Sequence, residues 1–388
     1  MREVAIIGIG QTPVGEHWEA SLRTLAADAI RAALDDAGLG GENAPQVDAL
    51  YVGNAYGATV STQAQLGALI ADHAGLRGIE AYVTEAGDAS GAAALRTGYL
   101  AVASGAVETA LVVGVEKSAD MVGTARTRAR GVSLDADYEA IHGATLPALA
   151  AMLMRRYMHE YGVDLSVFEN FSINAHANGA LNGNAMFRNK IKPGAFARAP
   201  MIAEPVSLFD NAPDADGAAA VILTSAERAA DLVPQPVRIA GSAAATDTLA
   251  LHDRPTLLSL SAVALSTQKA FGQANITHDD VSLFELHDGF TILSALTLEA
   301  AGFAAPGEGW KWAADNRIGL TGALPICTFG GLKARGNPVG ATGVYQAVEA
   351  ALQLRGAAGA NQVANAKTAL IQNMGGLGST VITHVLQV

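Results

Sequence analysis

The same succession of elements is written twice in this chain, and that duplication restricts its fold more than any other feature. In the first copy, residues 4–9 are a short apolar, β-rich run. Residues 21–37 follow with apolar positions at helical spacing and stop at Gly38; residues 47–54 read as a second strand. Residues 90–104 form an Ala-rich helix whose one charge is Arg96, residues 109–115 a third strand and residues 217–224 a fourth. The second copy passes through a strand at 237–242, a helix at 261–273, a strand at 281–286, a helix at 340–352 and a strand at 367–371. Local wording recurs as well: Glu108-Thr109-Ala110-Leu111-Val112 answers Lys367-Thr368-Ala369-Leu370-Ile371, and Ala89-Ser90-Gly91 answers Ala341-Thr342-Gly343. Strands alternating with helices predict βαβ units in a mainly parallel sheet covered on both faces, an α/β fold built from two halves. Two buried helices then begin on facing sides of one crevice at the strand ends, where such sheets bind ligands.

The start of the 90–104 helix carries the first chemical signal. Ala86, Gly87, Ala89, Ser90, Gly91 and Ala92 are all small, so backbone or a ligand can approach closely. A helix start offers unpaired N–H groups and a positive dipole end, suited to an anion or a developing oxyanion. Asp88 stands immediately before it. On local sequence alone Asp88 reads as an N-cap, since Asp is among the best capping residues.

Residues 117–200 have no counterpart in the second copy and read as an insertion. The domain division expected is 1–116 with 201–235, 117–200, and 236–388. The insertion holds ten of the 25 Lys and Arg but only seven of the 37 acids, a local excess of base in a chain of net charge −12. Arg126, Arg128 and Arg130 alternate in one predicted loop, and Arg188, Lys190, Lys192 and Arg198 crowd another. Singly, each reads as a solvated base; together they suit a small polyanion such as the phosphates of coenzyme A.

The acidic balance argues against general nucleic-acid or anionic-membrane binding. One Cys in 388 residues excludes an internal disulfide framework and a thiolate-rich zinc site. The apolar stretch at the start is too short and too glycine-punctuated for a secretory leader, and the long apolar runs are broken by Arg96, Glu108 and Glu349. A soluble cytoplasmic protein is expected, with no membrane span, no metal and no nucleotide redox cofactor.

Four stretches carry a resemblance. Glu85-Ala86-Gly87-Asp88-Ala89-Ser90-Gly91 resembles the nucleophile turn of thiolases, in the branch of sterol-carrier and archaeal acetyl-CoA acetyltransferase proteins. Phe284-Glu285-Leu286-His287-Asp288-Gly289-Phe290 resembles that branch's His-Asp-Cys-Phe signature. Residues 330–343, Gly-Gly-Leu-Lys-Ala-Arg-Gly-Asn-Pro-Val-Gly-Ala-Thr-Gly, are close to its Gly-His-Pro loop, and Gln372-Asn373-Met374-Gly375-Gly376-Leu377-Gly378 resembles its Gly-rich oxyanion loop. The resemblance runs over almost the whole chain. It implies duplicated βαβαβαββ halves layered α/β/α/β/α, with residues 117–200 as a loop domain that holds CoA through Arg188, Lys190 and Lys192.

At three decisive positions this sequence departs from that pattern. The acyl-accepting Cys, the activating His and the proton-moving Cys of thiolases are here Asp88, Asn337 and Gly289. A thiolate nucleophile needs an activating base and an electropositive setting. Asp88 is a poor acyl carrier. Cys327, the single thiol, reads as a small buried hydrophobe rather than a nucleophile, and Tyr345 as core rather than acid. What the resemblance leaves is apparatus for polarising a thioester: His287 and the Asn337 amide as donors to a carbonyl oxygen, backbone N–H groups near Asp88 and at Met374 or Gly375 as a second donor pair, and Asp88, His287 or a water between them to move a proton. The function expected is C–C bond making or breaking next to a CoA thioester through an enolate, with weak or absent Cys-type thiolysis. The alternatives are a retro-aldolase or decarboxylase on CoA esters, and a non-catalytic CoA-binding or scaffold subunit. A homodimer is the partner state that the resemblance implies, with a small OB-fold, zinc-ribbon protein as a further partner.

Overall fold

Strand β1 (Val4–Gln11) runs through the middle of one nine-stranded sheet, and both halves of the chain are laid out from it. The computed structural model describes residues 2–39, 47–192 and 194–388. The first half adds α1 (Leu22–Asp36), β2 (Ala49–Gly53), α2 (Leu66–His73), β3 (Glu80–Thr84), α3 (Ser90–Ser104) and β4 (Thr109–Glu116). Next come α4 (Gly123–Arg130), α5 (Leu146–Tyr161), α6 (Glu169–Gly179) and a small hairpin of β5 (Met201–Ala203) with β6 (Val206–Ser207). The chain then returns to the sheet as β7 (Gly217–Ser225), followed by α7 (Ala226–Leu232) and β8 (Val237–Thr246). The remainder is α8 (Ser261–Ala274), β9 (Leu283–Glu285), α9 (Thr291–Ala300), α10 (Gly309–Ala314), α11 (Gly331–Ala334), α12 (Thr342–Leu354), β10 (Thr368–Gly375) and β11 (Thr380–Gln387).

The strand order, β3-β2-β4-β7-β1-β8-β11-β10-β9, makes the duplication visible. Read outward from the β1–β8 junction, β7, β4 and β2 are mirrored by β11, β10 and β9. The sheet is not mainly parallel. Within it, β2–β3, β2–β4 and β9–β10 are parallel, whereas β1–β7, β1–β8, β4–β7, β8–β11 and β10–β11 are antiparallel. The cause is connectivity. A helical crossover imposes parallel pairing, but β10 reaches β11 through a tight turn and β4 reaches β7 through the long 117–216 excursion.

Helices cover the sheet in layers. α1 lies on one outer face against β1, β4 and β7; α8 lies on the other against β8 and β11. Ser21 caps α1 by accepting from the Thr24 N–H at 3.3 Å, and the helix ends before Gly38, as its stop signal predicts. Between the halves, α3 and α12 pack directly on one another. Their contact is as close as backbones allow: a Cβ on Gly91 would stand 2.8 Å from the Gly340 carbonyl oxygen, and one on Gly343 would stand 2.3 Å from the Ala92 nitrogen. Only glycine fits at either place. The apolar surfaces of these layers form the main clusters, centred on Leu95, Val112 and Val344, on Ile30, Val113 and Ile222, and on Phe284, Leu296 and Val385. Among the described residues no helix is long and apolar enough to cross a membrane.

Candidate active site

The segment between Asp210 and Asp216 organises the crevice, because it ties together three loops distant in sequence. Ala212 N–H donates to the Gly289 carbonyl at 2.9 Å, fixing the 287–290 loop. Asn337 N–H donates to the Pro213 carbonyl at 3.0 Å, and Ala215 N–H donates to the Asn337 carbonyl at 3.1 Å. Asp214 forms ion pairs with Arg126 at 3.3 Å and with Arg130, bringing in α4. At the segment's end the fully buried Asp216 carboxylate accepts from the Ser118 and Ala119 N–H groups at 2.6 and 2.8 Å. Buried carboxylates with this many donors are stable anchors.

These loops enclose a cavity of about 230 Å³ whose wall contains Asp88, His287 and Asn337 together. Leu134, Leu146, Pro147, Ile202, Phe290 and Leu293 supply its apolar side. Three residues singled out in the sequence, 199 and 50 positions apart, are therefore brought to one place.

Asp88 is not an N-cap. Ala89 occupies the cap position of α3 and no side chain caps the helix. The Ser90 hydroxyl closes the preceding turn instead, accepting from Ala86 N–H at 3.0 Å and donating to the Gly87 carbonyl. The Asp88 carboxylate is released toward the cavity, where it accepts from the Tyr56 hydroxyl at 3.3 Å and faces the Arg130 guanidinium at 3.6 Å. Tyr56 also hydrogen-bonds Ser133 at 2.6 Å, and burial together with the Asp88 charge holds its phenol protonated.

His287 follows β9 and is buried. Burial pushes its pKa down, against the pull of Asp88 and Asp288, so the imidazole is neutral. The Asn373 amide donates to Nδ1 at 2.9 Å, which places the ring proton on Nε2. Gly289 leaves that nitrogen uncovered, for a Cβ there would stand 3.2 Å from Nε2. In Asn337, Oδ1 accepts from Val339 N–H and the Thr342 hydroxyl, both at 3.0 Å. The group left for the cavity is the Nδ2 amide. The result is two neutral N–H donors beside one carboxylate.

The other sequence candidates sit elsewhere. Met374 and Gly375 lie inside β10, paired with Val381 and Thr380, and it is Gly376 that reaches the cavity wall. Arg188, Lys190 and Lys192 are exposed; Lys190 and Lys192 border a separate open depression with Arg198. The Cys327 thiol is buried against the Leu286 carbonyl at 3.6 Å, and burial pushes its pKa well up, so it is no thiolate. The Tyr345 hydroxyl donates to the Thr12 carbonyl at 3.0 Å in the core. Residues 123–130, expected as a loop, are the helix α4; Arg126 and Arg130, four apart, face the cavity while Arg128 points to another surface. Tyr56 and Asp214 carry no local signal in the sequence.

Comparison with known proteins shows what the whole chain is similar to. Residues 4–201 match the family described as "Thiolase, N-terminal domain", and residues 243–388 match "Thiolase C-terminal domain-like". The chain is 41% identical to an acetyl-CoA acetyltransferase of Methanothermobacter thermautotrophicus, over 99% of each chain. It is 31% identical to a 17-hydroxy-3-oxo-4-pregnene-20-carboxyl-CoA lyase of Mycobacterium tuberculosis, over 95% of each. A solved structure titled "Ltp2-ChsH2(DUF35) aldolase" superposes with a TM-score of 0.84 at 25% identity, over 99% of this chain and 97% of that one.

Proposed function

The chain belongs to the thiolase family, and from that premise we propose that it makes or breaks a C–C bond next to an acyl-CoA thioester through an enolate, without a Cys acyl-enzyme. One observation carries the reading: Asp88, which by resemblance stands where the family has its nucleophile, lines the cavity shared by His287 and Asn337, while the single thiol is buried away from it. The acyl end of the thioester sits in this cavity, and the polyanionic end of CoA is left to the exposed bases of residues 117–200.

The residues divide the work by charge. His287 Nε2–H and the Asn337 amide donate to the thioester oxygen, where negative charge develops when the enolate forms. Asp88 takes the proton, from the α-carbon in condensation or exchange and from a β-hydroxyl in cleavage. In cleavage the Cα–Cβ electrons pass to the thioester, the β-carbon leaves as a carbonyl, and the protonated Asp88 returns its proton to the α-carbon. A carboxylate would repel an oxyanion, but by then Asp88 is neutral and the negative charge has moved to the oxygen. Arg130, 3.6 Å from Asp88, holds the carboxylate in place on the cavity wall between turnovers.

Two partners follow as part of the proposal. A second copy of the chain pairs along the edge strand β3, and a DUF35-type protein assembles as in the aldolase complex named above. The test is α-proton exchange. Incubated with propionyl-CoA in D₂O, the protein should wash deuterium into the α-carbon by NMR while failing to thiolyse acetoacetyl-CoA. Ordinary thiolase turnover, or an acyl adduct on the unmodified chain, would refute the proposal.

A further inference from the structure

A second cavity, of about 280 Å³, lies across the 208–213 segment from the first and is not used by the chemistry above. The segment's side chains alternate: Ala212 and Asp214 line the first cavity, Phe209 and Pro213 the second, and Asn211 reaches both. Leu208, Phe187 and Phe209 make the second cavity apolar. Two nitrogen groups interrupt that surface, Lys333 and His176.

Lys333 is 2% exposed, on the short helix α11. Its amine donates to the Asp210 backbone carbonyl, and among the described residues it forms no ion pair. The two nearest carboxylates are engaged otherwise. Asp210 accepts from the Ser207 N–H, the Ser207 hydroxyl and the Thr291 hydroxyl, and Asp288 accepts from Leu332 N–H at 2.6 Å. An ammonium with no ion-pair partner is costly to bury, and burial pushes the Lys333 pKa down against the pull of Asp288 and Asp210. His176 Nδ1 is 3.2 Å from the Asn189 carbonyl, to which it donates, so Nε2 is a free lone pair. Burial and Lys333 both hold that ring neutral, against the Asn189 bond and Asp288.

An amine in an apolar, aromatic-walled cavity beside a neutral imidazole is arranged for carbonyl capture. We propose that Lys333 forms an imine with small apolar aldehydes, aromatic ones in particular, which enter between Phe187 and Phe209. The amine lone pair adds to the carbonyl carbon; the two amine hydrogens and the carbonyl oxygen then leave as one water, with His176 Nε2 carrying a proton between them. An engineered apolar cavity of about 150 Å³ already admits benzene, so this one has room for a substituted ring. The site is independent of the Asp88 chemistry.

Benzaldehyde with cyanoborohydride at pH 7, followed by peptide mapping, tests it. An ordinary exposed Lys is unprotonated about one part in 2,500 at pH 7, so a benzyl group should appear on Lys333 at least about tenfold faster than on the exposed Lys190, Lys269, Lys311 and Lys367. Benzyl alcohol, which fills the cavity without reacting, should slow labelling of Lys333 alone. K333M should lose the fast adduct, and H176Q should form it more slowly. Label confined to exposed lysines overturns the proposal, and the wild-type map decides this even where a variant fails to fold. Acyl-CoA exchange unchanged in K333M would leave the Asp88 reading intact, which separates the two.

Discussion

The Arg130 guanidinium stands 3.6 Å from the Asp88 carboxylate while another of its nitrogens is held by Asp214. Arg126 reaches the same Asp214 at 3.3 Å, so two bases and two acids share one wall of the cavity. The group balances to zero charge: Asp214 is held by both arginines, and Asp88 shares the cavity with His287 and Asn337. Removing any member changes the net charge of the group, which gives the first two predictions.

Replacing Asp88 by Asn keeps its shape and removes its basicity. Deuterium exchange at the α-carbon should fall by about 10² to 10⁴, with acyl-CoA affinity nearly unchanged. D88C places a thiol beside Arg130 and a helix start, which favour a thiolate. That variant should take up an acyl label from acetyl-CoA, detected as a mass increase on the peptide holding residue 88.

Replacing Arg130 by Met leaves Asp88 with Tyr56 as its remaining partner in the cavity. The exchange rate should fall, since the carboxylate loses the guanidinium that orients it and the wall gains a net negative charge beside the oxygen where charge develops. R130K should fall less. An unchanged rate in R130M would show that the ion pair does not act on the reacting group.

Asn373 controls His287 from behind. In N373D the new carboxylate accepts from Nδ1, the ring proton moves to that nitrogen, and Nε2 becomes an acceptor where the proposal needs a donor to the thioester oxygen. Loss of that one donor should cost about 10²-fold in rate, matched by N337A. Nitrogen-15 shifts of His287 report the tautomer directly, so a rate loss without a tautomer change would mean mere structural damage.

Stability should fall as pH rises through neutrality. Burial pushes the carboxyl of Glu116 up to about 7 and that of Glu285 up to about 8. The folded protein thus retains protons that the unfolded chain has released, a contribution complete below the ordinary Glu range and lost as pH climbs through these values. His384, His176 and His287 act in the opposite sense: burial pushes each down, His384 to about 3, so their contribution is lost on acidification and levels off above about pH 7.5. Between about pH 6.5 and 8 the two carboxyls contribute a loss of about 2 kcal/mol, opposed by the depressed Lys333, and urea unfolding of wild type against E285Q isolates the carboxyl share. E116Q should flatten roughly a third of that slope.

The duplicated order of elements was readable because it depends on period and punctuation: apolar alternation, Ser21 before a helix and Gly38 after it. Strand direction was not, because pairing sense depends on the length and route of a connection: the Gly-rich 375–378 stretch reads as a loop in the sequence but is a hairpin turn in the fold, and the return at β7 has no signature in composition. His287 and Asn337 were legible from their motifs. Asp88 was ambiguous between cap and site, and the difference lies in Ser90, which closes the turn and frees the carboxylate. Arg126 and Arg130 were visible only as part of a basic cluster, since their partner Asp214 lies more than 80 residues away. The basic run at Arg188, Lys190 and Lys192, prominent in the sequence, lies outside the cavity.

The interlocked glycines of α3 and α12 also set a dimension. Asp88 is three residues before Gly91, and Asn337 is six before Gly343, so the gap between the opposing walls of the crevice is gauged by two missing methyl groups. A single added carbon at either position, however far from any reacting atom, would wedge the halves apart and lengthen the reach from base to amide. The calibre of the chemistry is cut at this seam.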